Sequence, residues 1–316
     1  MLDSFLIALN AVLPLMLYLA FGFFLVRAHI VKEDFMQALN RFNFKALFPF
    51  MMFNNVYAAA PEDMPSGKLI AFSVISLLAL VGALLVAVPK IVKENPRRGV
   101  IIQGIFRSNF VIYGLPLAVS VYGAASSSIT GMMVLIMVSM FNILAVIVLE
   151  IFQEGGHIHV KPLLLGLAKN PLLQGCLVGL LFFLLKIRLP EVIAKPVATL
   201  GGMATPLALI ALGAALRFDE LRQNKKTLTV VLVIRLILLP LFMLLIAYLM
   251  GLRGVELFLI LMIFGTPVAT SSYPIAQNMG GDAPLAGQLV FVSTVLSLGT
   301  IFCFIFLMNQ MGLLWG

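Results

Sequence analysis

Arg107, Ser108 and Asn109 form a polar group at the start of an uncharged stretch that runs from 108 to 149. Arginine can grip a carboxylate through two parallel hydrogen bonds, and an asparagine amide can add a further contact. Arg107 lies nine residues beyond Arg98, or about 13 Å along a helix axis. A charge at that depth in a bilayer is costly and usually faces a cavity or a partner, unless the side chain snorkels back to the interface.

Two Gly-x-Pro motifs, at 114–116 and 265–267, lie in the middle of long uncharged stretches. Proline removes one helical N–H donor and clashes with the carbonyl four residues earlier, so each motif predicts a helix broken in mid-span. The surrounding segments, 112–123 and 263–274, have identical residues at six of their twelve positions. Interrupted apolar segments at matching positions of two halves point to the binding site of a transporter.

The second half of each broken helix would begin with exposed amides and the positive end of its dipole, which favour a small anion. The freed carbonyls at the end of the first half could instead hold a cation. The alternative is a pair of proline kinks whose backbone groups are satisfied by neighbouring Ser and Thr side chains. The candidate substrate-binding residues are Arg107, Asn109, Tyr113, Gly114, Pro116, Gly265, Thr266, Pro267, Thr270, Ser271 and Ser272.

Other polar residues inside apolar stretches carry weaker signals. Arg235 lies at a depth similar to that of Arg107 but has no polar neighbours in the sequence, so we expect it to snorkel to the interface. Asn54, Asn55 and Asn142 either line the same cavity or hold helices together, and the second role is the expectation.

The composition predicts an all-α membrane protein. Apolar residues make up 62% of the chain and charged residues 11%, and the mean hydropathy is +1.11. About 20 apolar residues cross a bilayer as a helix. The apolar stretches predict ten transmembrane helices, near 4–26, 36–60, 69–89, 100–122, 128–150, 168–186, 194–216, 227–250, 255–279 and 284–311.

Ten spans in two related halves give five spans each, so the second half must enter the membrane from the opposite side. The expected organisation is a five-plus-five inverted repeat, with residues 1–152 and 168–316 as the repeats and 153–167 as a short cytoplasmic connection. Most Lys and Arg residues lie in the connections that follow odd-numbered spans. This bias predicts a multi-pass protein of the cell (plasma or inner) membrane with both termini outside.

Several other classes of protein are disfavoured. The net charge of +8 is explained by basic residues at membrane-facing loop ends, without a nucleic-acid partner. The chain has no GxxxxGK[ST], HExxH or GxSxG motif, so we expect neither an enzyme nor a cofactor. His157 and His159 are too small a cluster to predict a metal site. The expected partners are a small organic anion and the lipid bilayer, and a homodimer is left open.

The chain resembles the auxin efflux carrier family, in particular its short bacterial members. The motifs that carry the resemblance are Arg107–Asn109 ahead of Gly114–Leu117, Pro206–Ala214, Arg235-Leu236 ahead of Pro240, and Pro267–Pro274 followed by Gly281-Asp282. The resemblance implies that broken helices 4 and 9 cross within a transport domain, and that helices such as 2 and 7 form a scaffold. It also implies a substrate contact for Asn109 and a crossover formed by Pro116 and Pro267.

The same resemblance implies an organic-anion substrate, such as auxin in plants and malate or malonate in several bacterial relatives. Plant members have a long hydrophilic loop between spans 5 and 6, whereas this loop is short here, which argues against auxin itself. We therefore predict a secondary carrier of a small carboxylate that works by alternating access around the helix 4/9 crossover. The rivals are a sodium-coupled bile-acid-type symporter, which shares the architecture, and a membrane sensor without transport.

Overall fold

The computed structural model describes residues 2–57, 65–123, 126–153, 169–216 and 222–314, with the backbone alone described for 2–12, 115–116 and 127–128. Within these ranges the regular structure is helical, apart from one isolated bridge between two extended segments. The helices are α1 (Leu2–Arg27), α2 (Glu33–Phe42), α3 (Phe48–Tyr57), α4 (Gly67–Ile91), α5 (Asn95–Phe106), α6 (Phe110–Tyr122), α7 (Ser126–Ile151), α8 (Pro171–Leu184), α9 (Glu191–Ala215), α10 (Lys225–Val233), α11 (Leu239–Leu249), α12 (Gly254–Gly265), α13 (Ser272–Asn278) and α14 (Ala283–Gln310). The predicted all-helical class is confirmed.

Five helical stretches of the described chain are long and apolar enough to cross a membrane: Gly67–Ile91, Ile129–Ile151, Glu191–Ala215, Lys225–Leu249 and Ala283–Gln310. Shorter apolar helices are Leu13–Arg27, Phe110–Tyr122, Pro171–Leu184 and Gly254–Gly265. Many large apolar side chains are exposed on the outside of the molecule, among them Ile75, Leu184 and Val192. An outward apolar surface of this kind is what transmembrane helices present to lipid.

Two short π-helical segments, Asn43–Leu47 and Ile234–Leu238, connect α2 to α3 and α10 to α11, so that each pair forms one continuous helix. A π-helical turn inserts an extra residue and is frequent at functional sites. In the first segment the buried Asn43 donates from Nδ2 to the Ala204 carbonyl of α9 at 2.8 Å. The second segment contains Arg235.

Helices from the two halves of the chain pack closely in two pairs, α1 with α9 and α3 with α8. Glycine makes this approach possible, because a Cβ added at Gly213 would collide with the Leu19 carbonyl and one at Gly175 with the Pro49 carbonyl. Small residues at helix contacts are the usual means by which membrane helices bring their backbones together. These two pairs form a support beside the broken helices.

The first break in the apolar helices does not lie where the sequence predicted it. Helix α6 continues through position 116, and the interruption lies at residues 107–109, between α5 and α6. The prediction of a break at Pro116 is therefore wrong. One proline costs a helix a single N–H bond, whereas residues 107–109 find replacement backbone partners in the second broken helix.

The second break contains Pro267 and spans 266–271, between α12 and α13. Pro274 does not interrupt a helix, since it lies in the first turn of α13, where a missing N–H donor is tolerated. Most of the predicted connection 153–167, including His157 and His159, lies outside the described residues.

Candidate functional site

The two interrupted helices cross at their breaks, where their extended segments pair with each other. The Asn109 amide donates to the Pro267 carbonyl at 2.9 Å, and the Ala269 amide donates to the Arg107 carbonyl at 3.4 Å. Ser108 and Val268 form an isolated antiparallel bridge. Buried backbone groups need partners, and in a membrane that requirement is strict. Each break therefore supplies the hydrogen bonds that the other lacks.

Side chains reinforce the crossing. Ser108 Oγ lies 2.9 Å from Thr266 Oγ1, and the Thr266 hydroxyl also donates to the Met262 carbonyl one turn earlier at 3.0 Å. From α14, Ser293 Oγ accepts from the Val268 amide at 3.1 Å. These hydroxyls form hydrogen bonds with each other and with backbone groups around the second break. The polar residues there therefore stabilise the structure, whether or not they contact a substrate.

Arg107 is 1% exposed and lies at the first break. Its Nη2 donates to Asn142 Oδ1 of α7 at 2.5 Å and to Ser271 Oγ at 2.7 Å. Its Nη1 is buried and has no hydrogen-bond partner among the described residues. The side chain therefore does not snorkel to an interface. It is held at the crossing through one nitrogen and keeps another unsatisfied.

A cavity of about 450 Å³ lies beside the crossing, between α3, α7 and α9. Its polar lining includes Asn54, Asn55, Arg107, Asn109, Asn142, Thr205, Thr270 and Ser271, and its apolar lining includes Met51, Met52, Val111, Val138, Phe141 and Val197. Arg107 is the only charged residue in the described lining. Asn109 Nδ2, like Arg107 Nη1, is buried without a partner in the described parts of the chain.

The electrostatics of this cavity favour an anion. One full positive charge lies in the wall, no described carboxylate lines it, and α6 begins at Phe110, directly after Asn109. The first turn of a helix carries amides without intrahelical partners and the positive end of the dipole. A carboxylate in the cavity would supply the acceptor oxygens that Arg107 and Asn109 lack once their buried nitrogens turn toward it.

Arg235 lies at the same crossing, and the prediction that it snorkels to the interface is wrong. The side chain is 0% exposed. Its Nε and Nη2 donate to the Thr266 carbonyl at 3.1 and 2.8 Å, and its Nη1 donates to the Ile105 carbonyl at 3.0 Å. The freed carbonyls at two helix ends provide a polar environment that the neighbouring residues in the sequence do not reveal.

The structure brings four of the predicted site residues to the cavity wall: Arg107, Asn109, Thr270 and Ser271. Six others lie outside the described lining, namely Tyr113, Gly114, Gly265, Thr266, Pro267 and Ser272. The Tyr113 hydroxyl lies 3.3 Å from Ser297 Oγ of α14, which ties α6 to α14. For Pro116 only the backbone is described, and it continues α6.

Some lining residues were undervalued or missed in the sequence. Asn54 donates from Nδ2 to the Val197 carbonyl of α9 at 3.0 Å, so it both holds helices together and lines the cavity. Asn142 likewise has both roles. Thr205 and the small residues of α9 gave no signal, because an apolar helix with two threonines resembles any other span.

A second, smaller cavity of about 180 Å³ has a separate set of lining residues. It is lined by the start of α2, the end of α9, α13 and the start of α14, with Glu33, Gln277 and Gln288 among its polar residues. The larger and the smaller cavity thus share no described lining residue. Across the described residues, no three His, Cys, Asp or Glu side chains are grouped as they would be to hold a metal ion.

Comparison with known proteins gives two matches. A family model described as "Membrane transport protein" matches residues 7–305. A protein of Methanothermobacter thermautotrophicus strain Delta H, named "Uncharacterized transporter", is 33% identical over 129 residues. That alignment covers 40% of this chain and 42% of the relative, so the matched region spans less than half of either protein.

Proposed function

Because this chain belongs to the membrane transport protein family, we propose that it is a secondary transporter that moves a small organic anion across the cell membrane by alternating access. Its family and its long apolar helices make it a multi-pass membrane transport protein. Family members are transporters rather than enzymes. The anionic substrate and the alternating-access mechanism are the new elements of the proposal.

The observation that carries the proposal is the pair of unsatisfied donors on cavity residues, Arg107 Nη1 and Asn109 Nδ2. Leaving a buried donor without an acceptor costs about 1–3 kcal/mol, and more when the group is charged. Both atoms are covered by neighbouring groups, so a carboxylate in the cavity would remove both penalties once the two side chains turn toward it. A ligand with acceptor oxygens and a negative charge is therefore the best complement to this wall.

One guanidinium in an otherwise largely apolar wall favours a substrate with one carboxylate and an apolar body. A second carboxylate would enter the cavity without a positive partner in the described lining, and burying an unpaired charge is expensive. We therefore expect an auxin-like monocarboxylate to bind better than malate or malonate, the dicarboxylates suggested by the family resemblance.

We also propose the full ten-span inverted repeat, with residues 1–152 and 168–316 as its halves. In that numbering α1 is span 1, α3 ends span 2, α8 is span 6 and α9 is span 7. The close pairs α1 with α9 and α3 with α8 are then spans 1 with 7 and 2 with 6. A two-fold axis in the membrane plane exchanges these two pairs, which supports the proposed symmetry.

Alternating access would expose the crossing first to one cavity and then to the other. The larger cavity includes Tyr57 at the end of α3 and Leu189 before α9, and the smaller includes Glu33 and Gln288 at the opposite helix ends. The connections near the ends that line the smaller cavity carry more Lys and Arg, including Arg97 and Lys225, than those at the other side, where Lys186, Arg188 and Lys195 lie. We infer from the positive-inside rule that the larger cavity opens outward and that both termini lie outside.

Binding of organic acids to the purified protein tests the anion proposal. Each carboxylate is compared with its own amide, which has nearly the same shape but no charge. We expect the acid to bind at least about tenfold more tightly than the amide. Uptake of the bound acids into proteoliposomes then measures transport. Equal binding of acids and amides would contradict an anion site.

A further inference from the structure

The carbonyl groups at the ends of two half-helices converge in the core of the protein. Helix α5 ends at Phe106 and helix α12 at Gly265, immediately before the two breaks. The last carbonyls of a helix have no intrahelical donor and carry the negative end of the dipole. A group of such carbonyls is the kind of site at which membrane carriers bind an inorganic coupling cation.

Here the carbonyls are bound by the guanidinium of Arg235. All three of its nitrogens donate to main-chain oxygens: Nε and Nη2 to Thr266, and Nη1 to Ile105 and, at 3.5 Å, to Phe106. Arg235 thus contacts the first half of both broken helices. The side chain lines neither described cavity, so its hydrogen bonds are not competing with a substrate.

The positive charge of Arg235 is balanced by dipoles rather than by an acid. Among the described residues the salt bridges join Arg97 to Glu94 and Asp282, and Lys195 to Glu191, and none involves Arg235. A buried arginine without a carboxylate partner is costly to hold in a membrane. Two helix ends directed at one guanidinium offset that cost. They would stabilise a bound metal cation in the same way.

We propose that Arg235 is a built-in cation that occupies the carbonyl site at the crossing, so that the carrier binds its anion without an inorganic cation at this place. A carrier with an empty carbonyl site needs a dissolved cation to complete it, and its anion affinity then depends on that cation. Arg235 supplies the charge from the chain itself. The carbonyl site rests on the contacts described above, and only its link to anion binding rests on the proposed function.

The first test empties the site and refills it. Arg235→Ala removes the guanidinium, and millimolar guanidinium chloride should then enter the vacated space, bind the freed carbonyls and raise the thermal unfolding midpoint by about 3 °C. Urea, which is similar in shape but neutral, should not. Arg98→Ala is the matched control, because Arg98 also donates to helix-end carbonyls, those of Val92 and Pro89, at the end of α4. No stabilisation of Arg235→Ala by guanidinium, or equal stabilisation of Arg98→Ala, overturns the carbonyl site.

The second test uses the wild type and needs no variant. Its affinity for a bound carboxylate should be the same, within about twofold, in sodium, potassium and choline chloride. An affinity that falls about tenfold or more when choline replaces sodium overturns the proposal. If no carboxylate binds in any salt, the anion function fails, while the guanidinium test of the carbonyl site still stands.

The third test separates charge from packing. Arg235→Lys keeps the positive charge, and Arg235→Met keeps a chain of similar length without it. Lysine cannot reproduce all the hydrogen bonds, but it should bind the carboxylate at least about tenfold more tightly than the methionine variant. Equal affinities in the two variants would mean that Arg235 acts by packing alone, and would overturn its role as a cation.

Discussion

Arg107 and Arg235 are both completely buried at the same crossing of broken helices, yet their surroundings differ. Every nitrogen of Arg235 donates to a main-chain carbonyl. Arg107 is held through Nη2 alone, by Asn142 and Ser271, and its Nη1 is unsatisfied within the described chain. Only Arg107 belongs to the described lining of the large cavity. Burial alone therefore does not single out a candidate ligand-binding arginine, whereas an unsatisfied donor on a residue that lines a cavity does.

Because their surroundings differ, removing each of the two side chains should have a different effect on folding and on anion binding. Arg235 completes the hydrogen bonding of two helix ends, so its loss should lower the stability of the fold, in addition to the anion affinity that depends on its charge. Arg107 carries an incomplete set of partners, and burying such a donor is unfavourable until a ligand arrives. Its loss should lower the affinity for an anion. The four changes below test this contrast between fold and binding.

The largest effect is expected for Arg235→Met. The change leaves the buried carbonyls of Ile105 and Thr266 without a donor, at about 1–3 kcal/mol each, so the free energy of unfolding should fall by about 3 kcal/mol or more. Unfolding in detergent micelles measures it. Arg98→Met removes a half-buried guanidinium at the end of α4, away from the crossing, and should lower the free energy of unfolding clearly less. Equal losses in the two variants would contradict a special role for the crossing.

Arg107→Gln should act on binding instead. A hydrogen bond to a charged group contributes about 1.5–3 kcal/mol, so the Kd for a carboxylate should rise about 10- to 100-fold. Stability should change little, because removing an incompletely paired buried charge offsets the lost bonds to Asn142 and Ser271. Arg107→Lys should recover only part of the affinity, since it lacks the planar fork. Wild-type Kd values in both variants would rule out Arg107 as the anion contact.

Much of this architecture was accessible from sequence. The all-helical class was predicted and is confirmed. The predicted auxin efflux carrier family is also confirmed, since the membrane transport protein family that matches the chain is of this type. Both were predictable because hydropathy and short motifs are local signals. The Arg107–Asn109 group was found for the same reason, since three polar residues interrupt an apolar stretch. The ten-span inverted repeat and the substrate contacts remain predictions.

The two errors have one physical cause, which is that the decisive partners are distant in sequence. Arg235 binds carbonyls that lie 31 and 130 positions away, so its own neighbours gave no indication of a polar environment. The first break was expected at Pro116 because proline is the local signal for an interrupted helix. Its actual position, at 107–109, depends on pairing with residues 267–269 of the other broken helix.

A comparison of two asparagines extends the contrast to neutral donors. Asn43 uses its Nδ2 on the Ala204 carbonyl, whereas the Nδ2 of Asn109 is unsatisfied and Asn109 lines the cavity. Asn109→Ala should therefore weaken carboxylate binding about tenfold, in line with a hydrogen bond of about 1–1.5 kcal/mol, with little change in stability. Asn43→Ala should lower the unfolding midpoint and leave the Kd unchanged. The reverse pattern would refute the assignment of Asn109 to the site.

The smallest effect is expected for Ser271→Ala, which removes one of the two acceptors that orient Arg107. Asn142 still holds the same nitrogen, so the Kd should rise only about threefold, within the range of a single neutral hydrogen bond. Because Ser271 is expected to act through Arg107, the change should have no further effect in an Arg107→Gln background. Ser297→Ala, which removes a buried hydroxyl near Tyr113 and away from the described cavity lining, is the matched control and should leave the Kd unaltered in both backgrounds. An undiminished effect of Ser271→Ala in the absence of Arg107 would mean that Ser271 contacts the anion directly, and that the site includes the second break as well as the first.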